Sequence, residues 1–334
     1  MVRIYSRTGY VIMPLGIEKA ALMGGGGGGG VDFTPTKNHA VGGYTGSGYN
    51  FLNQVYTPDS NSWATGAAYA ESGWQGIFQF PQCWDGVNMI SYQIGARHRE
   101  SNNNTATGTS KKYTSASDAW AGITGITNKR QAPTTAFIDE YHYTISGENV
   151  SAVTTDVNRY DPSGDSYSAM TSCTTGRQFA QGMGNQVGSG GDAYLMTGQI
   201  SGGGVTASNE KYTASTNAWA SIAASTSYER QYAGQTGSGD FIHVISGHDG
   251  STAFQTAHRR YTPGSDAWAS KTGYGTGVQN FWCYGTLKSG TAYVYISGGS
   301  LSGTDNSTTS SEYSNISDSW SNKTALPTGA RWDP

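Results

Sequence analysis

Short runs of β-branched and aromatic residues, each closing on glycine, recur along the chain. They are HAVGG to Gly43, SYQIG to Gly95, YTISG to Gly147, YLMTG to Gly198, HVISG to Gly247 and YISGG around Gly298. Each run is too short for a buried helix and rich in residues that suit a pleated surface, so each predicts a strand. Thirteen to eighteen residues further on comes a second pattern, a Tyr seven positions before a Trp: VYTPDSNSW, KYTSASDAW, RYDPSGDSY, KYTASTNAW, RYTPGSDAW and EYSNISDSW. The pairs are Tyr56 and Trp63, Tyr113 and Trp120, Tyr212 and Trp219, Tyr261 and Trp268, and Tyr313 and Trp320, with Tyr160 and Tyr167 in the third copy. Pro, Asp, Ser and Gly between the two aromatics predict a turn. Ten or eleven residues after each Trp position stands a third landmark: Arg130, Arg177, Arg230 and Arg331, with Trp74 and Gln279 in the remaining places.

The repeating unit of about fifty residues therefore reads as four short strands. The first follows the Arg, the second ends at Gly, the third carries the Tyr, and the Trp opens the fourth. One such sheet cannot bury both faces, so units must stack on their neighbours, with Tyr and Trp as the bulkiest fillers of the gap.

A glycine doublet, then Tyr, then Trp at this period resembles the kelch repeat. The resemblance covers residues 22–334 and implies an all-β chain, a six-bladed kelch-like β-propeller with four-stranded antiparallel blades, preceded by a short N-terminal arm at 1–21. The doublet is complete only at Gly42 with Gly43 and Gly298 with Gly299; elsewhere it reads Ser-Gly, Thr-Gly or Ile-Gly. The glycine run Gly24 to Gly30 has two readings, the first strand of blade one or a linker. Since only three residues follow Arg331, blade one is expected to be completed from its N-terminal side.

Composition narrows the function classes. Charged residues are 13% of the chain and the formal net charge is -3, which gives no electrostatic reason to expect nucleic acid or an anionic membrane as partner. Cys83, Cys173 and Cys283 are widely spaced and odd in number, against a disulfide scaffold. The apolar run Tyr10 to Ile17 is broken by Pro14 and is short for a secretory signal, and no stretch approaches a membrane helix. The expectation is a protein made in a cytoplasm, without membrane insertion.

Candidate chemistry is sparse. The six histidines include no H-x-x-x-H pair, and there is no P-loop, G-x-S-x-G or zinc-spaced cysteine set. No catalytic residue, metal site or cofactor is expected. A copper-radical oxidase site, which some kelch-like propellers carry, finds only Cys283 beside Tyr284 as a local hint.

What differs between copies is the loop from second to third strand, longest in the second unit at Ala96 to Ser110. That unit also holds Trp74, Trp84 and Tyr92 outside the repeated places, and Arg97, His98 and Arg99 within the loop. With His248 and Asp249 in the corresponding loop of the fifth unit, these are the candidate partner-binding residues, since aromatic and polar clusters suit a sugar ring or a protein patch. The low charge and the Ser/Thr/Asn/Gly surface resemble phage tail-fibre and decoration proteins. That implies a structural or binding module of a virion, its partners being other virion proteins or a host glycan or protein, with several copies held on a scaffold. The alternative is a free, cytoplasmic kelch-type adaptor or lectin.

Overall fold

In every unit the repeated Tyr lies directly across one antiparallel strand pair from the residue seven positions later: Tyr56 from Trp63, Tyr113 from Trp120, Tyr160 from Tyr167, Tyr212 from Trp219, Tyr261 from Trp268 and Tyr313 from Trp320. The computed structural model describes residues 5–6, 9–10, 37–45, 50–69, 74–75, 82–84, 89–100, 103–138, 141–149, 152–180, 183–184, 192–225, 227–238, 240–251, 254–289, 291–301 and 306–329. Gly24 to Gly30 and Arg331 lie outside these. Within the expected arm, Tyr5–Ser6 pairs with Gly9–Tyr10.

The described residues form strands, with one 3-10 turn at Pro263–Ser265. Sheets three to six are four-stranded and antiparallel. They comprise Thr134–Ile138, Tyr141–Ile145, Val157–Asp161 and Ser166–Met170; Met183–Gly184, Asp192–Met196, Asn209–Thr213 and Ala218–Ile222; Gly234–Ser238, Phe241–Ile245, His258–Thr262 and Ala267–Lys271; and Trp282–Lys288, Thr291–Ser297, Ser310–Ser314 and Ser319–Asn322. The first sheet shows three strands, Asn38–Val41, Asn53–Thr57 and Ser62–Gly66.

The second sheet departs from this plan. The stretch 96–110, expected to be a loop, is mostly paired strand: Met89–Glu100 and Asn103–Thr114 form one long hairpin. Elsewhere the slot glycine turns the chain. At Gly95 the register slips between Ile94 and Ala96 and the strand runs on. A single extra residue makes a bulge rather than a turn, and the Thr- and Asn-rich sequence beyond it continues to pair, from Ala96 opposite Thr107 to Glu100 opposite Asn103.

Third and fourth strands differ in burial for a reason visible in their residues. All six repeated tyrosines are buried. The residues opposite them, Trp63, Trp120, Tyr167, Trp219, Trp268 and Trp320, are half-buried on strands otherwise largely exposed. The sequence had both aromatics as gap fillers; only the tyrosines are enclosed.

The apolar core is divided among the faces between consecutive sheets. Ile138, Tyr143 and Ile145 of the third sheet pack with Leu195 and Tyr212 of the fourth, Tyr194 and Met196 with Val244 and Tyr261 of the fifth, and Ile245 with Val294 and Tyr313 of the sixth. Ala40 of the first sheet packs with Trp282 and Tyr284 of the sixth. First strands approach closely: a Cβ on Gly234 would stand 2.4 Å from the Phe281 ring.

The incomplete doublets keep the doublet's conformation. Gly42 and Gly43 have φ of 67° and 99°, and Ser146 with Gly147, Thr197 with Gly198, and Ser246 with Gly247 repeat the two positive values. A left-handed Ser costs about 1–2 kcal/mol. At Ser146 this is offset by its hydroxyl, which lies 2.8 Å from Arg177 O and accepts from Arg177 N at 2.6 Å. The second position stays glycine because a Cβ on Gly147 would meet Gln131 O at 2.8 Å.

Candidate functional site

The turn between third and fourth strands contains a joint that repeats in all six units. The fifth residue after each Tyr is Asn61, Asp118, Asp165, Asn217, Asp266 or Asp318, always in the left-handed region, at φ between 44° and 49°. Its Oδ1 accepts the hydroxyl of its own Tyr, as from Tyr113 to Asp118 at 2.7 Å and from Tyr313 to Asp318 at 2.6 Å. The same oxygen accepts a backbone N–H just past the fourth strand of another sheet: Ala67 to Asp118, Thr124 to Asp165, Thr171 to Asn217, Ala223 to Asp266, Thr272 to Asp318 and Thr324 to Asn61. In the five units that carry a Trp, its indole donates to the carbonyl of that same residue, as from Trp120 to Ala67 O at 3.0 Å and from Trp320 to Thr272 O at 2.9 Å. These hydrogen bonds hold the four bridging carboxyls below the ordinary carboxylate range. The backbone donor is the larger cause at Asp118, Asp165 and Asp266, and the tyrosine hydroxyl is the larger at Asp318. The repeated Tyr and Trp positions are thus scaffold, and the Asn or Asp five residues after each Tyr was the signal the sequence offered for it.

Arg130 and Arg177 are scaffold as well, fully buried at the ends of the sheets. Arg177 donates to Thr197 O, Ser208 O and the Glu210 carboxylate at 2.7 Å, tying the second-to-third connection to the chain leading into the fourth sheet. Burial lowers the Arg130 guanidinium to about 10. In the fifth-to-sixth link, Val278 and not Gln279 holds this place: Gly247 N bonds to Val278 O as Gly198 N bonds to Arg230 O. Counting from the Trp misses this by one residue because the intervening segment varies in length.

The partner-binding candidates separate into four groups. Trp74 and Gln75 pair as backbone with His98 and Arg97, so the structure brings Trp74, Arg97 and His98 to one place on the long hairpin, with Arg99 next along it, opposite Asn104. Trp84 pairs with Met89 at the other end of that strand, roughly 30 Å away at strand rise. The side chains of Trp74, Trp84, Arg97, His98 and Arg99 lie outside the described structure. Tyr92 is a correction: its ring is 3% exposed and sits in the core against Phe137 and Tyr160, so it offers no surface for a partner.

His248 and Asp249 sit in the connection between second and third strands of the fifth sheet, the end at which the second sheet extends its hairpin. His248 Nδ1 accepts Gly250 N–H at 3.1 Å, which leaves the proton on Nε2. Asp249 binds Ser251 N–H at 3.0 Å and Gln255 Nε2 at 2.7 Å, and the Ser251 side chain is the main reason its carboxyl lies below the usual range. Both oxygens of Asp249 are thereby engaged in holding its own loop.

Among the described residues, no three His, Cys, Asp or Glu converge as metal ligands. Cys283 is buried, and burial pushes its thiol up; the neighbouring Tyr284 hydroxyl donates to His39 O.

No protein-family model matches the chain, and no curated protein does. A solved structure of YjhT is similar, with a TM-score of 0.66 over 87% of this chain and 97% of that one, at 14% identity. The fold is β-propeller-like. At this identity the likeness extends to the propeller-like arrangement of small antiparallel sheets and stops there. No helix among the described residues is long and apolar enough to cross a membrane.

Proposed function

We propose that this chain is a closed, six-bladed kelch-like propeller acting as a non-enzymatic structural and binding module, displayed on a virion surface and contacting its partner through the long hairpin of the second sheet. Ring closure is supported by the sixth joint: Thr324 N donates to Asn61 at 3.0 Å, as in the other five, and Trp63 donates to Thr324 O at 2.8 Å, as in the four others that carry a Trp. The observation that carries the binding reading is the hairpin itself. Five sheets end their second strand at a left-handed pair, whereas the second sheet continues through a bulge and adds Ala96 to Thr107 beyond the shared frame. It gathers Arg97, His98 and Arg99 with Trp74, polar and aromatic groups that suit a host glycan or an acidic protein patch.

The virion reading draws on the low charge and neutral polar composition. Its test is a density gradient of the native source with mass spectrometry of each fraction. Co-migration with particles at fixed stoichiometry is expected. Migration as a small free protein would remove the virion reading and leave a free kelch-type adaptor or lectin, using the same hairpin.

A further inference from the structure

Each sheet presents one ring from its second strand to the repeated tyrosine of the next sheet. The pairs are His39 on Tyr113, Tyr92 on Tyr160, Tyr143 on Tyr212, Tyr194 on Tyr261, His243 on Tyr313 and Tyr295 on Tyr56, with centroids 5.2 to 6.0 Å apart. Four of these seams use Tyr and two use His. The residue three before the third-strand Tyr completes the place: Asn53 beside His39, Asn209 in the sheet of Tyr194, and His258 beside His243.

The fifth-to-sixth seam thus holds two imidazoles in hydrogen-bond contact, His243 Nδ1 and His258 Nε2 at 2.8 Å, both rings buried. His258 Nδ1 faces Thr272 O at 3.3 Å, and a carbonyl can only accept. His258 therefore carries its proton on Nδ1, accepts at Nε2, and receives the His243 Nδ1 proton. The remaining lone pair, His243 Nε2, is buried. His258 packs on Tyr313 at 4.4 Å and on Trp320 at 5.8 Å. Trp320, His258 and Asp318 grip Thr272: Trp320 and His258 share its carbonyl, and Asp318 takes its N–H. The histidine pair sits against the joint that fastens the two sheets.

A proton added here is shut off from bulk solvent, since both rings are buried. Arg260 and Lys271 of the fifth sheet oppose a further positive charge, while Asp318 and Asn315 on the sixth sheet's turn favour it. Burial outweighs all of these and holds both rings neutral. If the sheets part, the rings become hydrated and ordinary bases, so acid favours the parted form.

We propose that the seam between the fifth and sixth sheets is an acid-sensitive joint, opened by protonation of the His243 and His258 pair while the seams built on Tyr143 with Tyr212 and on Tyr194 with Tyr261 stay shut. The test is amide hydrogen exchange by mass spectrometry on the full chain at pH about 7.5 and about 5, corrected for the intrinsic pH dependence of exchange. Protection at His243–Ile245, His258–Thr262 and around Thr272 falls at least about tenfold at the lower pH, with two tyrosine-only seams unchanged. The double variant His243→Tyr with His258→Asn copies the Tyr194 and Asn209 arrangement and abolishes the response. His258→Asn alone, which copies His39 with Asn53, reduces it. Equal loss of protection at every seam, or an acid response retained by the double variant, overturns the proposal. Should the double variant not fold, the comparison among seams of the unaltered protein decides alone.

Discussion

Asn61 accepts the backbone N–H of Thr324 at 3.0 Å, joining the first described sheet to the exit of the sixth. The same side-chain oxygen takes the Tyr56 hydroxyl at 2.8 Å, and the residue has a φ of 47°. Three substitutions separate these roles. Asn61→Asp keeps both acceptor functions, as Asp does in four other units, and changes stability by less than about 0.5 kcal/mol. Asn61→Gly keeps the backbone but loses two hydrogen bonds, about 1–2 kcal/mol. Asn61→Ala loses the bonds and adds left-handed strain, about 1 kcal/mol more. Urea unfolding midpoints give the order.

Arg177 and Glu210 form a buried ion pair, with the guanidinium also holding three carbonyls. Arg177→Met leaves the carboxylate and those oxygens without their charged donor and costs about 3–5 kcal/mol. Glu210→Gln retains an acceptor and costs less. A double-mutant cycle read by thermal unfolding checks that the two effects do not add.

Shortening the second sheet's hairpin, by replacing Arg97 to Ala106 with a two-residue turn, removes pairing only beyond the bulge. The melting temperature falls by no more than about 2–4 °C, while binding to the partner is lost. Loss of folding, or undiminished binding, would show that the extension belongs to the scaffold.

Overall stability declines in mild acid. His39 and His258 are lowered to about 4 and His142 to about 3, chiefly by burial, and His243 is lowered well below its ordinary value for the same reason. Below about pH 6.5 the unfolded chain binds protons that the folded chain refuses. Stability is therefore full above that pH and lost as pH falls through the window down to about 4. The slope is at most about 1.4 kcal/mol per pH unit for each histidine. Denaturant midpoints from pH 8 to pH 5 measure it, and a flat profile would mean these rings are hydrated in the native state.

The repeated Tyr and Trp made the frame legible, because a fixed spacing of seven across a tight turn leaves one register. The second-strand ring was legible too: His39, Tyr143, Tyr194, His243 and Tyr295 each stand four residues before a slot glycine, at the head of the runs that announced the strands. Its role was hidden because it concerns a neighbouring sheet. The long hairpin was not legible, since Gly95 looks like every other slot glycine and the choice between turn and bulge depends on how far Asn103 to Thr109 can keep pairing. Tyr92 was misread for a different reason. It stands three residues before its glycine where Tyr143 stands four before Gly147, and this disguises their equivalence, each lying opposite the residue before the repeated Tyr.

The joint at Asp118 spends specific side chains on one side only. Asp118 needs Tyr113 to orient it, but from the preceding sheet it takes a main-chain N–H that Ala67 supplies no better than another residue would. At this hydrogen-bonded joint the neighbour is recognised by the path of its chain. The residue at Ala67 is consequently free to change in sequence without loosening this joint, wherever the path of the chain is kept.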